Sequence, residues 1–369
     1  MNLTISKEQI LHGLQAVQNV VSTRTTLPIL SNVLLRADGN QLQFTATDLD
    51  VTVSCGVEAK VKKGGASTVP VKKLFGIVRE LAESEIELEV DDKNVCSIRA
   101  GASFYRINGL GADEFPPAPQ FQQDNKVTLP QDTVRCMLRR TSFAISTDES
   151  RYVLNGIFFI LKDHKFTLVA TDGRRLALAD EEAEIADQCQ GEFIVPAKAV
   201  NELNRLLQEK GEIEVKFSEN QVAFTLKDEK GAGILVMSKL IEGNYPNYRQ
   251  VIPSETKERI ALVREEFLHA LKRAEIMTSE KSNSVKLAFG KNKLEITANS
   301  PEVGEAKETL AINYKGKEMA IAFNPRYLID PLGALANDEV FIELIDELSP
   351  GVLKVNGPFL YVVMPMRLT

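Results

Sequence analysis

Three stretches of this chain say nearly the same thing: "QFTATDLDVTV" at 43–53, "TLVATDGRRLALA" at 167–179 and "EITANSPEVGE" at 295–305. Aligning Asp48, Asp172 and Asn299 gives spacings of 124 and 127 residues in a chain of 369, so the period is a third of its length. A second anchor agrees: "STVPVKKLFGIVREL", "FIVPAKAVNELNRLL" and "IAFNPRYLIDPLGAL" superpose with Pro70, Pro196 and Asn324 in register. A third comes from "SKEQILHGLQAVQNV", "PQDTVRCMLRRTSFA" and "VREEFLHALKRAEIM", where Ile10/Leu14, Val134/Leu138 and Phe267/Leu271 lie four apart, as on one face of a helix. A triplication at this period fixes the fold as three copies of one unit.

Within the first copy the periodicities predict strands at 1–5, 30–36, 41–47, 50–60, 67–69, 85–90, 95–100 and 103–109, with helices at 7–21 and 71–82. Eight strands and two helices per copy make an α+β class. The Pro-rich connectors "GADEFPPAPQFQQDN" and "EGNYPNYRQVIPSE" suggest domains at 1–124, 125–254 and 255–369. A T-D or A-N pair recurring once per copy at a strand end reads as a hairpin closure, because Asp and Asn favour turns. The "GRRLA" that follows it belongs to the middle copy alone and needs a separate reason.

Phosphate-cradling loops, nucleophile elbows and zinc-type spacings are absent from the sequence. Cys55, Cys96, Cys136 and Cys189 are scattered, as reduced structural thiols would be. No metal or cofactor is expected. An enzyme using Asp48, Asp50 or Asp172 as metal-binding carboxylates would need these groups to converge in one pocket, whereas the repeat puts Asp48 and Asp172 in different copies. The first residues lack an apolar leader and no apolar run approaches the ~18 residues of a membrane span, so a soluble cytoplasmic protein without membrane contact is expected.

The formal charge of −7 taken alone argues against a nucleic-acid partner. It is unevenly distributed: the six repeated helical stretches sum to +5, leaving −12 for the remainder. Two places after the Pro/Pro/Asn anchor stand Lys72, Lys198 and Arg326, and nine places after it Arg79 and Arg205, two helical turns on and on the same face. After the shared leucine of the other helix come Arg139/Arg140 and Lys272/Arg273. Solvated helix faces with local pairs, such as Lys198 with Glu202, would account for any one helix. Recurrence favours one basic surface on an acidic protein, touching phosphates without reading bases.

Several segments together identify a resemblance over the whole chain: "TLPILSNVLL", "TATDLD", "RYVLNGIFF", "VATDGRRLA", "NYPNYRQVIP", "KLEITANSPE" and the ending "YVVMPMRL". The chain resembles the bacterial sliding clamps, the beta subunits of DNA polymerase III. The resemblance implies three domains of the DNA clamp fold, each with two helices and two four-stranded antiparallel sheets. It implies a head-to-tail homodimeric ring around duplex DNA without sequence specificity, and no catalytic site. The partners implied are the replicative polymerase, the clamp loader, repair polymerases and other proteins carrying a clamp-binding motif. A repeat scaffold that binds peptides without encircling DNA is the alternative.

For the partner-peptide cleft the matching positions are Leu154, Thr171, Gly173, Arg174, Arg175, Leu176, Pro246, Val251, Asn324, Tyr327, Leu348, Val362, Met364, Pro365, Met366 and Arg367. Methionines suit a surface that accepts varied apolar peptides. The tail could equally be an edge strand of the last sheet. Arg174 stands where His is common, and Gln250 where Arg is often seen. The DNA-facing set is Arg24, Lys72, Lys73, Arg79, Arg139, Arg140, Tyr152, Lys198, Arg205, Lys272, Arg273 and Arg326. Ring closure would use Tyr105 and Ile107 against Ile276 and Met277.

Overall fold

"EIELEV", Glu85–Val90, buries every second side chain, the period of a strand with one wet face. The computed structural model describes residues 1–21, 27–117 and 126–367, and among them such strands pair antiparallel throughout. Two α-helices per repeat accompany them: α1 Lys7–Val17, α2 Val71–Glu80, α3 Gln131–Thr141, α4 Ala197–Leu206, α5 Arg264–Glu275 and α6 Pro325–Ala334. Ser6 caps α1, its hydroxyl accepting from the Gln9 amide at 3.2 Å, and Asn324 caps α6 from the Arg326 amide at 2.9 Å. Pro70 and Pro196 precede α2 and α4 as the anchors predict. Helix α1 ends at Val17, four residues short of the expected 21, and α2 at Glu80. Gly13 lets α1 approach the sheet: a Cβ there would collide with the Phe44 ring.

By its internal contacts the chain divides into two compact units, Met1–Arg135 with Lys198–Leu240, and Cys136–Ala197 with Ile241–Thr369. The first holds a five-stranded sheet, in order Lys60–Lys63, Asn2–Ser6, Glu85–Val90, Val95–Ala100 and Ser103–Asn108. Its eight-stranded sheet runs Lys126–Pro130, Glu212–Phe217, Gln221–Lys227, Gly233–Lys239, Val51–Glu58, Gln41–Thr47, Asn32–Asp38, Gly65–Pro70. The second unit's eight-stranded sheet runs Gly191–Pro196, Gly156–Lys162, Lys165–Thr171, Arg175–Glu182, Phe359–Val363, Gly351–Lys354, Glu339–Leu344, Glu258–Val263. Its four-stranded sheet is Gly304–Ala311, Lys293–Ser300, Val285–Gly290, Met319–Phe323.

Each eight-stranded sheet is thus two four-stranded halves from successive repeats, sewn edge to edge. Val53 pairs with Val236 at one joint and Leu176 with Val362 at the other. The expected strand 50–60 is in fact two, Val51–Glu58 and Lys60–Lys63, which belong to different sheets. The tail strand Phe359–Val363 is interior rather than an edge, since it pairs on both sides. The boundary expected near 124 lies outside the described residues.

The cysteines follow the burial pattern. Burial pushes the Cys55 and Cys96 thiols up to about 12, Cys55 further helped by the Asp228 charge, while Cys136 is exposed and Cys189 buried. A thiol reagent at pH 8 should therefore titrate one group rapidly in the native protein and all four after unfolding. Two or more fast native thiols would contradict this packing.

Candidate peptide cleft and basic helix faces

The T-D pairs build hairpin turns. Asp48 Oδ1 accepts from the amides of Asp50 at 3.1 Å and Val51 at 2.7 Å, while Thr47 Oγ1 accepts from Leu49 at 3.1 Å. In the second repeat Asp172 Oδ1 accepts from Arg174 at 2.9 Å and Arg175 at 3.0 Å, and Thr171 Oγ1 from Gly173 at 3.1 Å. Gly173 has φ +83°, which a side chain resists, and the Arg151 guanidinium lies where its Cβ would be. In the third repeat the ladder continues past Asn299, which pairs with Glu305, so the turn falls at 301–303. The expected closure at Asn299 is displaced there by two residues of extra strand.

"GRRLA" now has its reason. The Arg175 side chain is only 10% exposed and donates to Asp330 at 2.7 Å, to Asp172 at 3.0 Å and to the Phe143 carbonyl at 2.6 Å. Its guanidinium lies 4.6 Å from the Tyr327 ring centroid. Burial alone would lower its pKa, but the Asp330 hydrogen bond, with the Tyr361, Asp172 and Asp330 charges, raises it. Arg326 pairs with the other side of Asp330 at 2.9 Å. The site of one direct ion pair in the first unit, Lys198 with Asp48, is taken here by a four-membered relay, Arg326, Asp330, Arg175 and Asp172.

Above this relay lies a groove of about 250 Å³ lined by Leu154, Thr171, Gly173, Arg174, Arg175, Leu176, Pro246, Val251, Val362 and Met364. Asn247 and Tyr248 line it too, and sequence reasoning missed them. The signal was available: Tyr248 lies three before Val251 in one helical turn, Tyr248–Val251. Its floor is the cluster Ile160, Val169, Leu176 and Val362, covered at one side by Tyr245, whose ring stacks on Phe158 at 4.8 Å. Burial drives the Tyr245 hydroxyl's pKa upward, so it stays a neutral donor, 3.4 Å from the Val169 carbonyl.

Six expected residues do not line this groove. Asn324 caps α6. Tyr327 lies under Arg175, and its carbonyl accepts from the Tyr361 hydroxyl at 2.6 Å. Leu348, 80% exposed, lines a different groove with Lys257, Met319 and Ile345. Met366 bridges to Ala322, its amide donating to that carbonyl at 2.7 Å, with Pro365 and Arg367 flanking it. The tail is pinned at Met364 to the Arg174 carbonyl and at Met366 to Ala322.

The basic helix positions divide into committed and open ones. Lys198 pairs with Asp48 instead of the expected Glu202, which is held by Arg205 at 2.5 Å. Arg205 also donates to the Gln15 and Ala16 carbonyls, at 2.9 and 2.6 Å, at the negative end of α1. Arg273 grips Glu308 at 2.7 Å and Arg139 donates to the Gly333 carbonyl at 3.3 Å. Arg79 makes a surface pair with Glu80 and lies over the Phe75 ring at 5.9 Å. Lys72, Lys73 and Lys272 are exposed and Arg140 half-buried, without an ion pair among the described residues. Tyr152 is exposed, and Arg24 lies outside the described residues.

Of the expected ring-closing residues, Tyr105 and Ile276 are exposed and Met277 half-buried, but Ile107 is buried within its own unit. The alternation of Ser103–Asn108 turns Ile107 inward. Phe104, not anticipated, is exposed beside Tyr105, with Arg99 and Arg106 over its ring at 5.4 and 5.5 Å.

Asp48, Asp50 and Asp172 are each held by a cation, Lys198, Lys239 and Arg175, and among the described residues no group of three or more His, Cys, Asp or Glu side chains could hold a metal. Repeats joined through their sheets and an apolar groove define a scaffold of the clamp class. Family models for the DNA polymerase III beta subunit match in order: N-terminal domain at 1–119, central domain at 128–247 and C-terminal domain at 249–367. The chain belongs to this family, the bacterial beta sliding clamps. It is 36% identical to the beta sliding clamp of Chlamydia muridarum over 100% of this chain and 99% of that one, and 30% to that of Bacillus subtilis over all of both. A crystal structure of the Bartonella birtlesii sliding clamp bound to griselimycin superposes with TM-score 0.94 at 37% identity, covering 100% of both chains.

Proposed function

We propose that two copies of this chain close head to tail into a ring around duplex DNA and tether the replicative polymerase, clamp loader and repair polymerases through the groove beside Arg174. The observation that carries the ring is the repeated sheet joint. In each joint the strand after the 48- or 172-type turn of one repeat pairs with the last strand of the next: Thr52 opposite Met237, Leu176 opposite Val362. The third repeat's version of the first strand, Gly304–Ala311, and the first repeat's version of the second, Ser103–Asn108, are both sheet edges. An open edge is a template for another strand. Two correspondences together fix how they would meet. Ala306 faces Ala298 as Leu176 faces Thr171, and matching Phe115-Pro116 to Tyr245-Pro246 makes Ile107 the counterpart of Met237. Ala306 would thus stand opposite Ile107 of the partner subunit.

A closed ring holds DNA by topology, so release requires breaking a protein interface, while sliding breaks only exchangeable phosphate contacts. Lys72, Lys73, Lys272 and Arg140 are the most available for those contacts, since Lys198 and Arg205 already bind carboxylates and carbonyls. A chain acting in this way works in the cytoplasm and needs neither catalytic residues nor a cofactor. Domain limits of 1–124, 125–254 and 255–369 accord with this plan. The test is retention after loading by an ATP-driven clamp loader on a nicked circle and on the same DNA cut once. Retention on the circle with rapid loss from the linear form is expected; equal retention would leave a peptide-binding scaffold that never encircles DNA.

A further inference from the structure

The second helix of each repeat carries a cation two places after its anchor and, four residues further on, Gly76, Glu202 or Asp330. In α4 Glu202 is taken by Arg205, and Lys198 reaches the turn at 48 directly. In α6 Gly333 stands where α4 has Arg205, so Arg326 is the only cation on that helix. Asp330 therefore divides its two oxygens between different elements, Oδ1 accepting from Arg326 Nε at 2.9 Å and Oδ2 from Arg175 at 2.7 Å. Arg175 carries the connection on to Asp172 Oδ2 at 3.0 Å. The other oxygen of Asp172 holds the Arg174 and Arg175 amides, in the turn that brings Gly173 to the groove.

Exposure is graded along this line: the Arg326 side chain is 62% exposed, whereas Asp330, Arg175 and Asp172 are largely covered. Its outer end meets solvent on the basic helix face, and its inner end supports the wall of the groove. The four charges alternate in sign and sum to zero. An anion beside Arg326 cancels the field of that guanidinium at Asp330, whether it draws the side chain away or binds its terminal nitrogens in place. Asp330 then leans on Arg175 alone. Arg175, shared between two carboxylates, shifts toward Asp330, and Asp172 loses part of the cation that fixes it beneath the turn. Solvent and salt screen the three covered members much less than the exposed one.

We propose that Arg326 is a positioning residue for the groove, and that a duplex-DNA phosphate on the α6 face weakens peptide binding through Asp330, Arg175 and Asp172. The inference rests on the readings proposed above, of the groove as a peptide site and of the basic helix faces as DNA-facing. The switching element is the Arg326 guanidinium, whose charge serves Asp330 in the free protein and the phosphate in the complex. Binding free energies couple reciprocally, so a peptide in the groove weakens the duplex by the same factor. The factor is small, because its outer member is an exposed ion pair.

Fluorescence anisotropy of an end-capped, uncharged hexapeptide containing Leu and Phe tests this, titrated at low salt with and without a saturating short duplex. An uncharged peptide removes direct repulsion from the DNA. In the wild type the duplex should weaken the peptide about threefold. Arg326→Gln should bind the peptide as weakly without duplex as the wild type does with it, and should no longer respond to duplex. Arg326→Lys, which keeps a cation for Asp330, should retain the response, and Asp330→Asn should lose it. Circular dichroism checks that all four proteins are folded. Equal peptide affinity with and without duplex in the wild type, or a response that survives Arg326→Gln, overturns the coupling. A peptide that does not bind the free protein, or a duplex that does not bind at all, would instead overturn the reading of the groove or of the helix faces on which the coupling rests.

Discussion

A chain carrying Ile276→Ala with Met277→Ala should sediment as a single 40.9 kDa subunit at concentrations where the proposed ring gives the unmodified protein twice that mass. Ile276, at the C-terminal end of α5, is 73% exposed, a surface that a lone chain has no reason to leave apolar. Met277 Cε lies 3.0 Å from where a Cβ on Gly304 would stand, so the pair flanks the start of the open edge strand Gly304–Ala311. Burying two such side chains contributes roughly 3–5 kcal/mol per interface, a factor of about 10²–10⁴ in dissociation constant. A head-to-tail dimer contains the interface twice, so the effect compounds. Because Ile276 is exposed, the thermal midpoint of the monomer should change little. Tyr105→Ala approaches the same interface from the other side by removing an exposed aromatic side chain. An unchanged dimer mass for both variants would refute the proposed closure.

Arg175→Ala should cost about 3 kcal/mol of stability, because removing one partner of a buried ion pair leaves the other charge uncompensated. Here two carboxylates lose a partner, Asp172 keeping only the turn amides and Asp330 only Arg326, and their side chains are 18% and 15% exposed. The Phe143 carbonyl also loses its donor. Urea unfolding should show the midpoint fall with the slope unchanged, and adding Asp330→Asn should recover part of the loss. Peptide affinity should fall as well, since Arg175 holds the turn that carries Gly173 and Arg174. Arg174→Gln, at the adjacent but exposed arginine, should leave the unfolding free energy within about 0.5 kcal/mol of the original. If the two variants unfold alike, the division between a supporting arginine and a recognising one is wrong.

That division shows where sequence reading stopped. Arg174 and Arg175 are adjacent, of one type and in one motif, and both were expected in the cleft. Strand alternation sends one to the rim and the other beneath it, but which is which depends on Asp330 and Phe143, distant in sequence. The same holds on α4, where Lys198 and Arg205 share a face as their seven-residue spacing requires. What that face meets, Asp48 and the end of α1, only the packed chain reveals. Asn324, Tyr327 and Leu348 were expected in the cleft with equal standing, and the sequence did not show that Asn324 also caps α6, that Tyr327 lies under Arg175 or that Leu348 lines a neighbouring groove.

The sequence by itself determined the three-fold repetition, the two helices per repeat and the T-D turns at 48 and 172, whereas the groove's residues were implied only by the family resemblance. The first three depend on local propensity, on period and on short-range hydrogen bonds, which a linear pattern carries directly. The tertiary structure decided that neighbouring repeats share continuous sheets, that Ile107 turns inward, that Asn299 lies within a strand, and which cations remain free. The sheet joints and the partners of Lys198 and Arg175 lie more than a hundred residues apart, and even the short ladders that hold Ile107 and Asn299 are settled only by packing, because many alternatives satisfy the same local pattern.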